Sequence, residues 1–218
     1  MKKSFISAIF TLVFAIFFTQ NASASEDFEQ KANELADKYN VDLIDLETTP
    51  IDNTTLLEFD DFEQFEEFLK QAVENDSITT DEEIIVDPED STMDLGVALF
   101  AASTKVYNDS HETSWWGPMN GPVMGVLNMR NMSFDYSYKY VNGKPTFVDV
   151  SNINSWQTGY HDVKWKQKGK GSKSFNKAKD TANVVAKGVY TLGVVIGSQP
   201  IGYSWNGEWD RNLTLTSK

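Results

Sequence analysis

The chain has no cysteine and only two histidines among its 218 residues. The first absence removes disulfide staples, thiolate metal sites and cysteine nucleophiles together. It also removes the residue that a lipoprotein leader would use for its lipid anchor. The fold must therefore rest on its core, and the chain is long enough for one full domain and a smaller unit. H-E-x-x-H, a Walker loop, an EF-hand loop and the glycine pattern of a nucleophile elbow are all missing. Beyond the first residues there is no apolar run of the ~20 residues that a membrane helix needs.

That beginning has a pattern of its own. Lys2 and Lys3 precede an apolar stretch from Phe5 to Phe18, and Ala22-Ser23-Ala24 follows. A charged start, a short apolar middle and an A-x-A end predict a secretory signal peptide over residues 1–24, cleaved after Ala24. The expected product is extracellular, and a cysteine-free secreted chain suits a bacterial exporter.

Charge divides the remainder. Residues 26–97 carry 24 acidic and 3 basic side chains, a net of −21, whereas residues 98–218 carry 8 acidic and 14 basic ones, a net of +6. An asymmetry of this size marks two regions of different character that attract each other. The acidity of the whole chain argues against a nucleic-acid partner.

The expected fold class is α+β. A small acidic α/β region (25–76) and an acidic linker (77–97) precede an antiparallel β-sandwich or open barrel (98–218). In the first region Phe28, Ala32, Leu35, Ala36 and Tyr39 recur at helical spacing behind a Ser25 cap. Phe62, Phe65, Phe68, Leu69, Ala72 and Val73 do so again, with Asp60 as N-cap and Glu63 placed for a capping box. Short strands are expected at Val41–Leu46 and Thr55–Phe59, and the linker has room for at most one more.

Strand signals dominate from Ala98 onward. Val97–Val106 is expected to open the domain. Met132–Tyr140 alternates apolar and polar without a break, then Asn142-Gly143 and Thr146–Val150 follow, which predicts a hairpin. Asn152–Thr158 is expected to turn. Tyr160–Lys168 is expected as a strand with Val163 and Trp165 on one face. Glycines 188 and 193 within Thr181–Ile196 suggest bulges or bends. A second Asn-Gly at 206–207 predicts another hairpin between Pro200–Trp205 and Glu208–Thr216. Short strands at this spacing define the sandwich or barrel expectation.

Three constellations carry chemical interest. Asp109, His111 and Glu112 offer oxygen and nitrogen ligands to a cation, and His111 beside Ser110 or Ser114 has the makings of a general base. Both readings place these residues in a loop. Trp115-Trp116 opens a Gly/Pro-rich stretch, where an exposed indole stacks on a sugar, enters a membrane interface or anchors a protein. Lys164, Lys166 and Lys168 line one face of a strand, as an edge-protecting row or an anion-binding strip. The acids of the basic half read as solvent-side strand or turn residues, so no catalytic pair and no cofactor is expected.

The leading expectation is a non-enzymatic extracellular binding protein whose partner is a protein, a glycan or a membrane surface. The alternatives are a cationic β-domain toxin or antimicrobial held by the acidic half as a pro-region, and a hydrolase built on His111 and nearby acids. The pro-region alternative requires a cut between about Asp87 and Ala102.

Overall fold

A computed structural model describes residues 26–46, 56–74, 80–87, 105–116, 128–159 and 161–218. Among these the protein is mostly β, with two helices and two sheets. The elements are α1 (26–39), β1 (Asp42–Ile44), β2 (Leu57–Phe59), α2 (Phe62–Glu74), β3 (Thr80–Val86) and β4 (Tyr107–Trp116), then β5 (Asn128–Val141), β6 (Lys144–Gly159), β7 (Val163–Gln167), β8 (Ser172–Phe175), β9 (Thr181–Ile196) and β10 (Gln199–Ser217).

One long hairpin is the spine. β9 and β10 pair antiparallel from Thr181↔Thr214 to Ile196↔Gln199 without a break in register. Gly197 and Ser198 make the two-residue turn, both at positive φ (55° and 91°), as such tight turns require. Short strands line both edges of this ribbon. Along β9 lie β8, β7 and then parallel β2, and along β10 lie parallel β3 and antiparallel β1.

This arrangement changes several expectations. Asn206-Gly207 does not turn the chain but lies inside β10, with Gly207 opposite Gly188. Nor does Gly188 mark a bulge. A Cβ there would fall 2.6 Å from the Trp165 ring and from the Lys166 carbonyl, so the missing side chain makes room for an indole. The boundary drawn between the halves runs through one hydrogen-bonded sheet. β1, β2 and β3, all from the acidic half, pair with strands of the basic half. Within the expected linker, Thr80–Val86 is a full strand because Ile84 and Val86 have a core to bury against. Residues 97–104 of the expected opening strand lie outside the described residues.

The inner face of the spine explains the core. Ala182, Val184, Ala186, Tyr190, Leu192, Val194 and Ile196 alternate along β9 and are all buried. Near the turn the helices cover them: Phe65 packs on Tyr203 at 4.9 Å between ring centroids, and Phe59 meets Phe65 and Phe68. Asp61, one residue beyond the expected cap, receives the Glu63 and Gln64 amides (3.0 Å each) and starts α2. Further along, the second sheet β4-β5-β6 takes over, with Phe147 against Phe175 and Trp115 against Trp209. A single hydrophobic cluster runs from Leu35 through the helices and both sheets to Leu215.

Candidate functional site

The small sheet has one face in that core and one face outward. Met132, Phe134, Tyr136 and Tyr138 of β5 point inward and are buried. The Asn142-Gly143 turn leads into β6 as the alternation requires, with both residues at positive φ (52° and 75°). β6 breaks the simple alternation, since after buried Pro145 and Phe147 its next buried residues, Val150 and Ile153, come three apart. Two register shifts against β5, between Ser133 and Asp135 and between Ser137 and Tyr138, supply the reason. Each inserts one extra residue into β6 and returns the next apolar side chain to the core. The expected turn at Asn152–Thr158 is thus continuing strand. Only Asn152 departs locally, with φ at 52°, and its amide donates to Asp135 at 2.6 Å.

Between the two bulges the outward face forms an open groove of about 510 Å³. Asn108 and Ser110 of β4, Asp135 and Ser137 of β5, and Asp149 and Ser151 of β6 line it, with Asp109 and Tyr136. Register aligns them in two rows across the sheet, Ser110–Asp135–Ser151 and Ser137–Asp149 with Asn108. Within the described residues the hydroxyls of Ser110, Ser137 and Ser151 and the amide of Asn108 have no intramolecular partner. The carboxylates are partly engaged. Lys173 bonds Asp149 and holds its carboxyl below the usual range. Tyr136 donates to Asp109 at 3.2 Å. Burial, reinforced by the Asp109 charge, raises the Tyr136 hydroxyl far above its ordinary range and keeps it protonated.

The strand geometry of β4 separates the two adjacent tryptophans. Trp116 faces outward on the same side as Ser110 and Ser114 and is 56% exposed. Trp115 faces inward, where the Arg211 guanidinium lies 4.3 Å from its ring centroid. Behind Ser114, buried Asn131 ties the sheet together. It accepts from Ser114 at 2.7 Å and donates to Thr158 at 3.1 Å.

The expected Asp109, His111 and Glu112 set is not assembled. These residues lie in a regular strand rather than a loop, and period two turns Glu112 away from the face that carries Asp109 and His111. Among the described residues no three histidine or acidic side chains converge on a cation position. Ser110 and Ser114 likewise face away from His111. Its Nε2 instead bonds Glu82 of β3 at 2.9 Å. Glu82 lies 3.6 Å from Arg211, and Arg211 donates to the Thr113 hydroxyl at 2.8 Å. Burial pushes the Glu82 carboxyl up, but hydrogen bonds from Thr113 and His111 and the His111 and Arg211 charges prevail, so it stays below the usual range. This chain of groups joins the acidic half to both sheets.

Lys164 and Lys166 lie on β7 of the large sheet and Lys168 follows it, whereas Trp116 lies on β4 of the small sheet. Among the described residues β7 pairs with β9 alone, and side chains of β6 bond its other edge. Gln157 donates to the Val163 carbonyl at 3.1 Å and accepts from the Trp165 amide at 2.8 Å.

His161, just before β7, is buried and its Nε2–H donates to the Thr158 carbonyl at 2.8 Å. Burial lowers its pKa below 6.5, and the charges of Lys164 and Arg130 act in the same direction. A lowered folded-state pKa means stability that is complete above 6.5 and is lost as pH falls from there toward the folded value. Unfolding free energy is expected to fall below about pH 6.5, by at most about 1.4 kcal/mol per pH unit for one proton, and the thermal midpoint with it. His161→Gln, followed from pH 8 to 5, is expected to remove that component. An unchanged slope would exclude it.

Sequence reasoning missed the groove. Asp135 and Asp149 read only as solvent-side acids, and the three serines had no motif. The available signal was the polar half of the Met132–Tyr140 alternation, which is made wholly of short hydrogen-bonding side chains up to Lys139. No protein-family model, no curated protein and no solved structure matches this chain.

Proposed function

We propose that the protein is a secreted, non-catalytic binding protein, freed of residues 1–24 on export, with the outward face of the small sheet as its binding surface. In this reading it acts as a two-sheet sandwich whose acidic and basic halves stay together. The groove between the β6 bulges carries the proposal. Bulges recur where a sheet presents side chains to a ligand, and this one presents unpaired hydroxyl and amide groups beside carboxylates. The chemistry fits binding better than hydrolysis. Asp149 is held ionised by Lys173, which suits an acceptor and not a general acid. His111 is engaged with Glu82 on the inner face, away from the groove.

The pro-region alternative would require β1, β2 and β3 to leave the sheet. That departure would uncover Ile84 and Val86 and strip Arg211 of Glu82, so we favour a lasting union of the halves.

The test uses the mature chain from culture medium, whose intact mass is expected to begin near Ser25. It is passed over immobilised neutral polysaccharide, acidic polysaccharide, poly-lysine and anionic vesicles, beside the double variant Ser110→Lys/Ser151→Lys. At least one surface is expected to retain the wild type and release the variant, whose thermal midpoint should be unchanged. Retention by none, or equal retention of both proteins, would overturn the proposal.

A further inference from the structure

We infer that the ligand of this face is an extended glycan chain without acidic groups; the inference rests on the binding role proposed above. Three observations carry it, concerning chemistry, charge and length.

The groove offers Ser110, Ser137 and Ser151 hydroxyls and the Asn108 amide, each able to donate and accept, beside carboxylates that only accept. That mixture matches a ligand whose own groups both donate and accept at short intervals, which is the character of a polyhydroxylated chain. The lining has no aliphatic side chain to hold an apolar anchor of a protein partner. Three carboxylates line it; Lys173 is taken up by Asp149 and the Val150 carbonyl, which leaves the charges of Asp109 and Asp135 to repel uronic acids, sulfated sugars and anionic lipid headgroups. For the same reason the face is a poor match to a membrane surface.

Length follows from strand geometry. Among the described residues Trp116 is the most exposed aromatic on this face, and it lies six residues along β4 from Ser110, roughly 20 Å at ~3.3 Å per residue. Glu112 and Ser114, outward and exposed, fill the interval. A single sugar in the groove cannot touch the indole. A chain running along β4 reaches both, hydrogen-bonded in the groove and stacked by a ring C–H face on Trp116. Affinity is therefore expected to rise with chain length, and the rise should depend on Trp116.

The experiment is native gel retardation of the mature full chain in gels containing hydroxyethyl cellulose, amylopectin, chitosan or polygalacturonate, with poly-lysine binding measured separately. For whichever of the first three retards the protein, calorimetry on its mono- to hexasaccharides follows. Retardation by at least one acid-free glycan, and none by polygalacturonate, is expected. Trp116→Ala is expected to weaken hexasaccharide binding roughly tenfold while leaving the shortest ligands unchanged. Ser110→Lys/Ser151→Lys should abolish binding at every length, with thermal midpoints preserved in both variants. Retention on poly-lysine alone, lost in the double lysine variant, would overturn the glycan assignment and leave the binding face intact. Preference for polygalacturonate would do the same. Affinity independent of length, or of Trp116, would overturn the extended-chain geometry. Indifference of every ligand to the double variant would overturn both the glycan assignment and the binding role.

Discussion

Trp209→Ala is expected to lower stability by about 3–5 kcal/mol, the range for deleting a buried aromatic. Trp209 of β10 is 1% exposed and meets side chains of β4, β5, β7 and β9, from both sheets. Trp165 of β7 stacks on it at 4.4 Å with 11° between planes, and Trp115 of β4 meets it edge-on at 5.5 Å. Its indole N–H donates to the Tyr190 hydroxyl, and the Arg130 guanidinium lies 5.3 Å from its ring. Alanine would leave a cavity bounded by rigid rings that cannot collapse into it, which places the loss toward the upper end of the range. A domain of this kind has roughly 5–15 kcal/mol in total. The variant should therefore unfold at a much lower urea concentration with a similar slope. Urea denaturation followed by tryptophan fluorescence and by far-UV circular dichroism measures it. A loss under about 1 kcal/mol would show that the two sheets are held together elsewhere.

Glu82→Gln is the second large effect, and it reports on the bond between the acidic and basic halves. Arg211 is 5% exposed, and Glu82 is the carboxylate that faces it across β3 and β10. Removing one partner of a buried pair costs roughly 3–5 kcal/mol because the other charge stays buried. The Glu82 side chain is 28% exposed, so screening brings the expected loss to about 2–3 kcal/mol. The sign with pH follows from the lowered Glu82 carboxyl. Its contribution is complete above the unfolded value near 4.5 and is lost as pH falls through the folded one. Glu82→Gln should therefore be most damaging at neutral pH and converge with the wild type in acid. Glu82→Met combined with Arg211→Met is expected to recover most of the loss, since an apolar pair of similar volume is often neutral or better. Urea midpoints of the wild type, Glu82→Met, Arg211→Met and the double variant at pH 7 close the cycle. Additive losses would mean that Glu82 and Arg211 do not act as a pair.

Several elements were legible because their causes are local. The Asn142-Gly143 hairpin was readable from five alternating side chains and a turn dipeptide that accepts positive φ. The two helices followed from apolar spacing, and α2 needed only a one-residue correction at its cap, from Asp60 to Asp61. Which of the two adjacent tryptophans is exposed was not legible, because the stretch reads as a loop and it is strand β4 that turns Trp115 inward and Trp116 outward. The Gly197-Ser198 turn was not legible in the sequence, where Asn206-Gly207 reads as the hairpin dipeptide instead.

Other features depend on partners distant in the chain. Asn206-Gly207 stays extended because β9 supplies a full ladder opposite it. Gly188 is small because Trp165 crosses there. β3 is a strand because β10, more than 120 residues later, offers an edge. The groove exists because two bulges in β6 reconcile a three-residue apolar spacing with a two-residue pleat.

By itself the sequence determined a β-rich, cysteine-free chain with charge divided between its halves, two amphipathic helices and one certain hairpin. Each of these is encoded within a few neighbouring residues by period, turn chemistry or composition. Only the tertiary structure decided that the halves share one sheet, that His111 and Arg211 take Glu82 as partner, and that three serines, an asparagine and three aspartates line a single polar groove. Those decisions come from strand register, which sums many weak pairings across the whole chain, and a shift by one residue would turn every side chain on that surface to the other face.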